Sequence, residues 1–391
     1  MKKIAIAVMI ACVCASFISC GNKKSTEVVT IDNGRTLTKT DSEVKTISSG
    51  DYISREEKKE NYYNGETLIL KDRVINSSEN GGLDIIYDDG KTDYIEPQNE
   101  EFSIVEYISN GKYLVWIEAD AKNLGTGAEK LNKEYIYSRN IETGEFVQIA
   151  SLDYSKLEDY QSGLSGLDIS ENNNLIYKYY KLDNSGEVEE KVILYNLDKT
   201  FQKEIIKDND EDISLENMKV GLNNVIYIKS ERDHQSREIT KQTLINYQID
   251  DGILEEIDLG LEVKNLDIYD KEVVFISEGE RDNLELYIYD LESAQLTGRI
   301  FEDSNLNKYY EKLESELDYD AGNLHVDESY IYMLGENSVV YDLKNKKFIV
   351  LENDMVATNY DYIYSHKVGY KKVLVTALKG ETKVVTEYTL K

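Results

Sequence analysis

The histidines of this 391-residue sequence are the first residues to test for chemistry, because imidazole binds metals and transfers protons near neutral pH. None of the three, His234, His325 and His366, stands in a His-Glu-x-x-His or His-x-x-His spacing. His325 and His366 fall in strand-forming stretches, where we expect structural roles. His234 falls in a loop-forming stretch with Arg232 and Arg237, so these three residues form a candidate ligand-binding group.

Alternating carboxylates at Asp208, Asp210 and Asp212 are weak candidates for a cation site. The run fails the EF-hand pattern, since Ile213 stands where glycine is needed and Lys219 where the bidentate glutamate belongs. The sequence has no Gly-x-Ser-x-Gly elbow and no Gly-x-x-x-x-Gly-Lys phosphate loop. We therefore predict no catalytic residue, no metal site and no cofactor, and leave open whether the protein is an enzyme.

The clearest chemical signal is Cys20. Lys2 and Lys3 precede an uncharged run from Ile4 to Ile18, which is too short for a comfortable membrane span but suits a secretory signal. The run ends Phe-Ile-Ser-Cys-Gly, which resembles the lipobox of bacterial lipoprotein precursors. The resemblance implies cleavage before Cys20 and a diacylglycerol thioether on its sulfur. Ordinary cleavage near Ala15, or an uncleaved anchor, are the alternatives.

Composition limits the partners. The formal net charge is −30 at pH 7, with 75 acidic against 45 basic residues. Such a chain does not suit nucleic acid, which requires clustered Lys and Arg. The acidity favours solubility outside the cell, or a surface for cations or basic partners. All three cysteines lie within the first twenty residues, so a chain that begins at Cys20 has no internal disulfide.

These patterns divide the chain into three segments. Residues 1–19 are predicted to be the signal peptide, and residues 20–58 a lipidated cysteine with a flexible polar tether. A flexible coil of roughly 40 residues would span on the order of 35 Å. A short apolar alternation at 28–31 could still add a strand to the folded body. Residues 59–391 form the folded domain.

The folded domain repeats a hairpin in which a strand ends in Tyr, a polar or acidic residue and Leu or Ile before a short turn. Clear copies lie at 195–197, 247–249, 289–291 and 341–343, and weaker ones at 87–89, 139–141 and 376–378. A β-rich triplet precedes each hairpin, at 68–70, 114–116, 175–177, 225–227, 273–275, 330–332 and 362–364. Turn residues such as Asn110-Gly111 precede these triplets. Each repeat unit is therefore predicted to form two hairpins, or four strands.

A mean period of about 47 residues is typical of propeller blades, which bury their faces against one another around an axis. With these turns and Tyr-Asp-Leu hairpins, residues 59–391 resemble TolB-like and WD-like β-propellers. The resemblance implies an all-β β-propeller, with seven four-stranded blades as the first choice and six or eight as alternatives. No family active-site residue maps onto the sequence.

Connection lengths predict one plain face and one elaborated face, and function is expected on the elaborated one. Its long loops contain Tyr160 and Tyr310, which we add to the candidate ligand-binding residues. Leu306, Tyr310, Leu313 and Leu317 have helical spacing, so a short helical insertion is expected near 304–318.

The expected function is a monomeric, non-catalytic binding or scaffolding propeller, lipid-anchored on the extracytoplasmic face of the cell membrane. Its partner would be an envelope protein, a peptide or a glycan. The alternative is a propeller-type hydrolase or lyase that acts on an extracellular polymer, which rests on fold analogy.

Overall fold

The computed structural model describes part of the chain. The described residues are 26–30, 36–41, 44–45, 53–58, 67–99, 101–120, 133–153, 163–182, 188–208, 210, 212–236, 238–278, 284–300, 324–333, 339–345, 347–350, 362–369, 371–379 and 382–390. All regular secondary structure in these ranges is β-strand. No helix among them is long and apolar enough to cross a membrane.

The N-terminal part contributes four strands, β1 (Thr26–Thr30), β2 (Thr36–Asp41), β3 (Val44–Lys45) and β4 (Ile53–Lys58). The next sixteen are β5 (Thr67–Ile69), β6 (Arg73–Ser77), β7 (Leu83–Tyr87), β8 (Thr92–Ile95), β9 (Phe102–Ser109), β10 (Tyr113–Asp120), β11 (Lys133–Asn140), β12 (Phe146–Asp153), β13 (Gly163–Ile169), β14 (Asn174–Leu182), β15 (Val188–Asn196), β16 (Phe201–Asp208), β17 (Ile213–Val220), β18 (Asn224–Arg232), β19 (Ile239–Gln248) and β20 (Leu254–Ile257). The last eleven are β21 (Val263–Tyr269), β22 (Glu272–Glu278), β23 (Leu284–Asp290), β24 (Gln295–Ile300), β25 (Leu324–Val326), β26 (Tyr330–Met333), β27 (Val339–Asp342), β28 (Lys347–Val350), β29 (Tyr362–Gly369), β30 (Lys372–Lys379) and β31 (Thr382–Leu390).

The strands form seven hydrogen-bonded sheets, numbered I to VII in chain order. Sheets I to IV hold β5–β8, β9–β12, β13–β16 and β17–β20, each as an antiparallel meander. Sheets V and VI are built on β21–β24 and β25–β28, and sheet VII on β29–β31. The repeat predicted seven units of four strands; five of the seven sheets have four strands, while sheet V has six and sheet VI has five. The expectation of an all-β fold made of four-stranded blades is confirmed.

The first strands of successive sheets contact one another, as β9 does with β13, β13 with β17, β17 with β21 and β21 with β25. The last and first sheets meet in the same way, because β29 of sheet VII contacts β5 of sheet I. At this junction a Cβ on Gly369 would lie 2.6 Å from the carbonyl oxygen of Ile69, which only glycine permits. The first strands are therefore the innermost ones, and the sheets follow one another around an axis.

The second strand of a sheet is buried on both faces. In β10 every side chain from Leu114 to Ala119 is buried. Because side chains alternate across a strand, Leu114 and Trp116 pack against sheet I, whereas Val115 and Ile117 pack against sheet III. The β-rich triplets of the sequence are thus the parts of the chain that hold neighbouring sheets together.

Strands β1 to β4 form a belt along the outer edges of three successive sheets. β2 pairs in parallel with β24 of sheet V, and β1 pairs with β2. β3 pairs in parallel with β28 of sheet VI, and β4 pairs antiparallel with β31 of sheet VII. The structure differs here from the predicted flexible tether of residues 20–58, because four stretches of it pair with strand edges that would otherwise be open.

The belt also changes how the first and last units are divided. Sheet VII takes its fourth strand from β4, so the predicted hairpin at 376–378 is the connection between its second and third strands. The triplets at 68–70 and 362–364 begin in innermost strands rather than second strands. The predicted helical insertion near 304–318 lies outside the described residues.

Candidate functional site

The innermost strands leave one edge without a strand partner, and side chains of the preceding sheet supply hydrogen-bond acceptors to it. Each innermost strand ends its sheet, so N–H groups on its other edge need acceptors from elsewhere. The observed bonds are Leu164 N to Glu134 Oε2 (2.7 Å), Leu167 N to Glu106 Oε1 (2.6 Å), Val220 N to Asp168 Oδ2 (2.6 Å), Val263 N to Gln242 Oε1 (2.7 Å) and Val326 N to Asp267 Oδ2 (2.9 Å). These bonds fasten sheets II through VI in sequence.

Four charged or ionisable residues occupy the same place in four successive innermost strands. Asp168, Lys219, Asp267 and His325 each precede the last branched apolar residue of β13, β17, β21 and β25. The sheets therefore bring together residues up to 157 positions apart in the sequence. We call these four residues the axial cluster. It lies beside the turns between first and second strands. These turns and those between third and fourth strands lie on one side of the ring, which we call the short-turn face.

Asp267 is the centre of the axial cluster. Its side chain is only 9% exposed, and it accepts hydrogen bonds from Ile268 N at 2.9 Å and Val326 N at 2.9 Å. The Nδ1 atom of His325 lies 3.0 Å from Asp267 Oδ2, and Lys219 Nζ lies 3.9 Å from Oδ1. One carboxylate thus joins sheets IV, V and VI.

The two aspartates of the axial cluster have opposite pKa shifts. Burial raises the pKa of Asp168, and the attraction of Lys219 only partly offsets that effect. Burial would also raise the pKa of Asp267, but Lys219 and the hydrogen bond from His325 outweigh it, so this pKa lies below the ordinary value. Burial would lower the pKa of Lys219, yet Asp267 and Asp168 together raise it. The lysine is therefore held charged between two carboxyl groups.

The chemistry open to the axial cluster centres on the imidazole. His325 is 40% exposed on its side chain, and Asp267 holds Nδ1, which directs Nε2 away from the carboxylate. The ring of His325 stacks on Tyr332, with centroids 5.9 Å apart. A histidine oriented by a buried aspartate can act as a general base. The sequence-based interpretation of His325 as a structural residue therefore explains its contact with Asp267 but not its partial exposure.

The sequence signal for this cluster was a polar residue immediately before the apolar residue that ends a first strand. It occurs as Asp-Ile, Lys-Val, Asp-Ile and His-Val at 168–169, 219–220, 267–268 and 325–326. Sequence reasoning missed it, because pairing each copy with its neighbour requires the register of four sheets.

Two of the predicted ligand-binding residues, Arg232 and His234, lie together on sheet IV at the end opposite the short-turn face. Arg232 Nη2 is 2.8 Å from Glu216 Oε1, and His234 Nδ1 is 3.1 Å from Asp212 Oδ2. Ser214 donates to the same Glu216 oxygen at 2.6 Å. These contacts tie β17 to β18 and to the connection that follows β18.

The remaining predicted positions are only partly described. Arg237, Tyr160, Tyr310 and Cys20 lie outside the described residues. Asp208 ends β16, but its side chain is not described. Asp210 is exposed, and Asp212 faces His234. Within the described part of the chain, no three His, Cys, Asp or Glu side chains are arranged to hold a metal ion.

Among the described connection residues, charge is distributed unequally between the two faces of the ring. The connections between second and third strands, and between sheets, form what we call the long-connection face. Their described residues include nine acidic ones and no lysine or arginine; the nine are Glu79, Glu96, Glu101, Asp210, Asp212, Asp233, Glu238, Asp258 and Glu262. The described residues of the short turns include thirteen acidic and seven basic ones. Among the described residues, the long connections are therefore more uniformly acidic than the short turns, although Arg232 lies at the same end of sheet IV and Arg237 falls in one of these connections.

No protein-family model matches the sequence, and no curated protein is similar to it at the sequence level. Among solved structures, the β-propeller domain of the Trilobed protease from Pyrococcus furiosus is similar over 84% of this chain and 97% of its own length, with a TM-score of 0.53 and 12% identity. A prolyl endopeptidase is similar over 84% of this chain, with a TM-score of 0.52 and 11% identity, but the match spans only 45% of that enzyme. At these identities the similarity establishes the fold alone, which is a β-propeller.

TolB from Acinetobacter baumannii, also a structural neighbour, aligns over 79% of this chain and 59% of its own chain. The identity is 12%, and the TM-score of 0.35 is too low to support any functional argument.

The two aspartates of the axial cluster provide a matched test of its energetics. Asp267→Asn should lower the free energy of unfolding by about 3 kcal/mol at pH 7, because Lys219 and His325 lose a buried counterion. Asp168→Asn should cost less than about 1 kcal/mol, since an amide oxygen still accepts from Val220 N and a charge with a raised pKa is removed. Urea unfolding of the two variants measures both values.

The dependence on pH follows from the directions of the shifts. The lowered pKa of Asp267 means that its contribution is present above the ordinary carboxyl pKa of 3.8 and is lost as pH falls through the folded-state value. The pKa of Asp168 is raised, so its charged form destabilises the folded state. Acidification from pH 7 therefore relieves this destabilisation. If both variants lose the same unfolding free energy, and this loss is the same at pH 7 and pH 5, the assignment of opposite pKa shifts to the two aspartates is wrong.

Proposed function

We propose that this protein is a binding propeller, anchored through lipid on Cys20 to the extracytoplasmic face of a bacterial membrane. Its long-connection face would dock a basic protein or peptide. The anchor is supported by the Phe-Ile-Ser-Cys-Gly sequence after an apolar run. The binding face is supported by the charge difference between the two faces.

The long-connection face carries the argument for a basic partner. The nine described carboxylates of the long connections, of which Glu262 is paired with Lys264 and Asp212 contacts His234, form a mainly negative surface. Such a surface attracts cationic partners over distances near the Debye length, about 8 Å at physiological salt. The short-turn face has similar exposed turns but mixed charge.

The contacts of the innermost strands favour binding over catalysis. Glu106, Glu134 and Asp168 accept backbone N–H groups of the next sheet, so these carboxylates have structural partners. Their function as inter-sheet fasteners accounts for their burial without reference to a substrate.

The anchor is tested by the change Cys20→Ser. In bacteria fed labelled palmitate, the unchanged chain should incorporate label and fractionate with the membrane, whereas Cys20→Ser should incorporate none and appear in the soluble fraction. Cys14→Ser serves as the control, since it lies in the predicted signal peptide. If Cys20→Ser fractionates with the membrane as the unchanged chain does, the lipid anchor is refuted.

The binding face is tested by neutralising three exposed carboxylates at a time. The triple change Glu79→Gln, Glu101→Gln and Glu262→Gln on the long-connection face should weaken binding of a ten-lysine peptide about threefold or more, as followed by fluorescence anisotropy. The effect should shrink as salt rises from 50 to 300 mM.

The matched control places the same charge change on the short-turn face, as Glu142→Gln, Glu145→Gln and Asp251→Asn. It should weaken binding by less than half as much. If both triple variants lose affinity equally, binding reflects net charge alone and the long-connection face is not the docking surface.

A hydrolase or lyase acting on an extracellular polymer is the second candidate, and the Asp267–His325 pair is the observation that favours it. A buried carboxylate that orients an imidazole is a frequent arrangement for proton transfer. The imidazole would serve as general base at the axial end of the ring, on the short-turn face.

This candidate predicts turnover of an extracellular polymer, such as a wall or host glycan, by the purified full chain. His325→Gln should reduce kcat by about 100-fold or more with little change in stability, while His234→Gln should leave the rate unchanged. If His325→Gln releases product as fast as the unchanged chain does, the Asp267–His325 pair is not catalytic.

A further inference from the structure

The starting observation is the path of the belt, which holds the N-terminal end of the chain to the rim of the ring. β2 runs beside β24 for five paired residues, from Leu37 with Leu296 to Asp41 with Ile300. β1 folds back on β2 as the outermost strand of sheet V. The belt then proceeds to sheet VI and sheet VII before the chain enters the innermost strand of sheet I.

The length of chain before the belt sets a limit on how far the ring can lie from Cys20. Only five residues separate Cys20 from Thr26, the first residue of β1. Six Cα-to-Cα steps at full extension reach at most about 22 Å. A tether that ended at residue 58 would instead have left the orientation of the ring free.

We propose that the ring stands on its edge at the membrane, with the rim of sheet V against the lipid headgroups. This proposal rests on the lipid anchor at Cys20. The partner of this rim is the headgroup surface of the bilayer that holds the acyl chains. Sheets I and II, farthest from sheet V in ring order, point away from the membrane.

The orientation has a consequence for access. A ring that lay flat with its long-connection face toward the bilayer would bring the acidic residues of that face against anionic headgroups, which is unfavourable. A ring on its edge exposes both the long-connection face and the short-turn face to the space beside the membrane. Partners can then reach either face without displacing the anchor.

Two equivalent turns provide matched positions for a distance probe. Thr143 of sheet II and Ser293 of sheet V occupy the same place in the turn between third and fourth strands, and both are exposed. Their backbone N–H groups donate to Asn140 Oδ1 at 3.0 Å and Asp290 Oδ1 at 2.7 Å, respectively. Cysteine at either position leaves the backbone bond in place, and lipidation leaves no other thiol in the mature chain.

The experiment measures energy transfer from a donor dye at Thr143→Cys or Ser293→Cys to acceptor-labelled headgroups in vesicles that carry the purified lipoprotein. Transfer from position 293 should be at least twofold more efficient than from position 143. Insertion of thirty Gly and Ser residues between Cys20 and Thr26 should bring the two efficiencies together, because the constraint on distance is lost.

Equal transfer from the two positions in the lipidated, uninterrupted chain would overturn the edge-on orientation and leave the anchor standing. Absence of palmitate from the purified protein would overturn the anchor and, with it, the orientation. Stronger transfer from position 143 would mean that the ring contacts the membrane through the opposite rim, which also contradicts the proposal.

Discussion

The unpaired edge of the innermost strands is the constraint on which the structure depends. A strand that ends a sheet exposes N–H groups, and leaving them buried without acceptors costs about 1–3 kcal/mol each. Here carboxylates and one amide of the preceding sheet accept those N–H groups, as Asp168 does from Val220 and Asp267 from Val326. Each sheet thereby positions the next one.

That solution creates a second requirement, because it collects negative charge near the axis. Lys219 stands where the aspartates of sheets III and V stand in their own strands, and it lies 3.9 Å from Asp267. His325 takes the same place in sheet VI. The alternation of acidic and basic groups lets neighbouring sheets approach without the repulsion that four carboxylates would cause.

Closure of the ring depends on strands from both chain ends. β29–β31 supply three strands of sheet VII and β4 supplies the fourth, so the sheet joins residues of the N-terminal segment to the last residues of the chain. The same segment covers the outer edges of sheets V and VI, which protects them from pairing with other chains. It also links the proposed anchor directly to the folded body.

The sequence by itself determined the strand content, the repeat and the buried triplets. Five of the seven triplets, including Leu114-Val115-Trp116, lie in second strands, because a strand buried on both faces is largely apolar. The belt and the axial cluster were decided only by the tertiary structure. The belt strands contain many polar residues, so their sequence resembles that of a tether. Asp168, Lys219, Asp267 and His325 become neighbours only after sheets III to VI are placed around one axis, which no local pattern encodes.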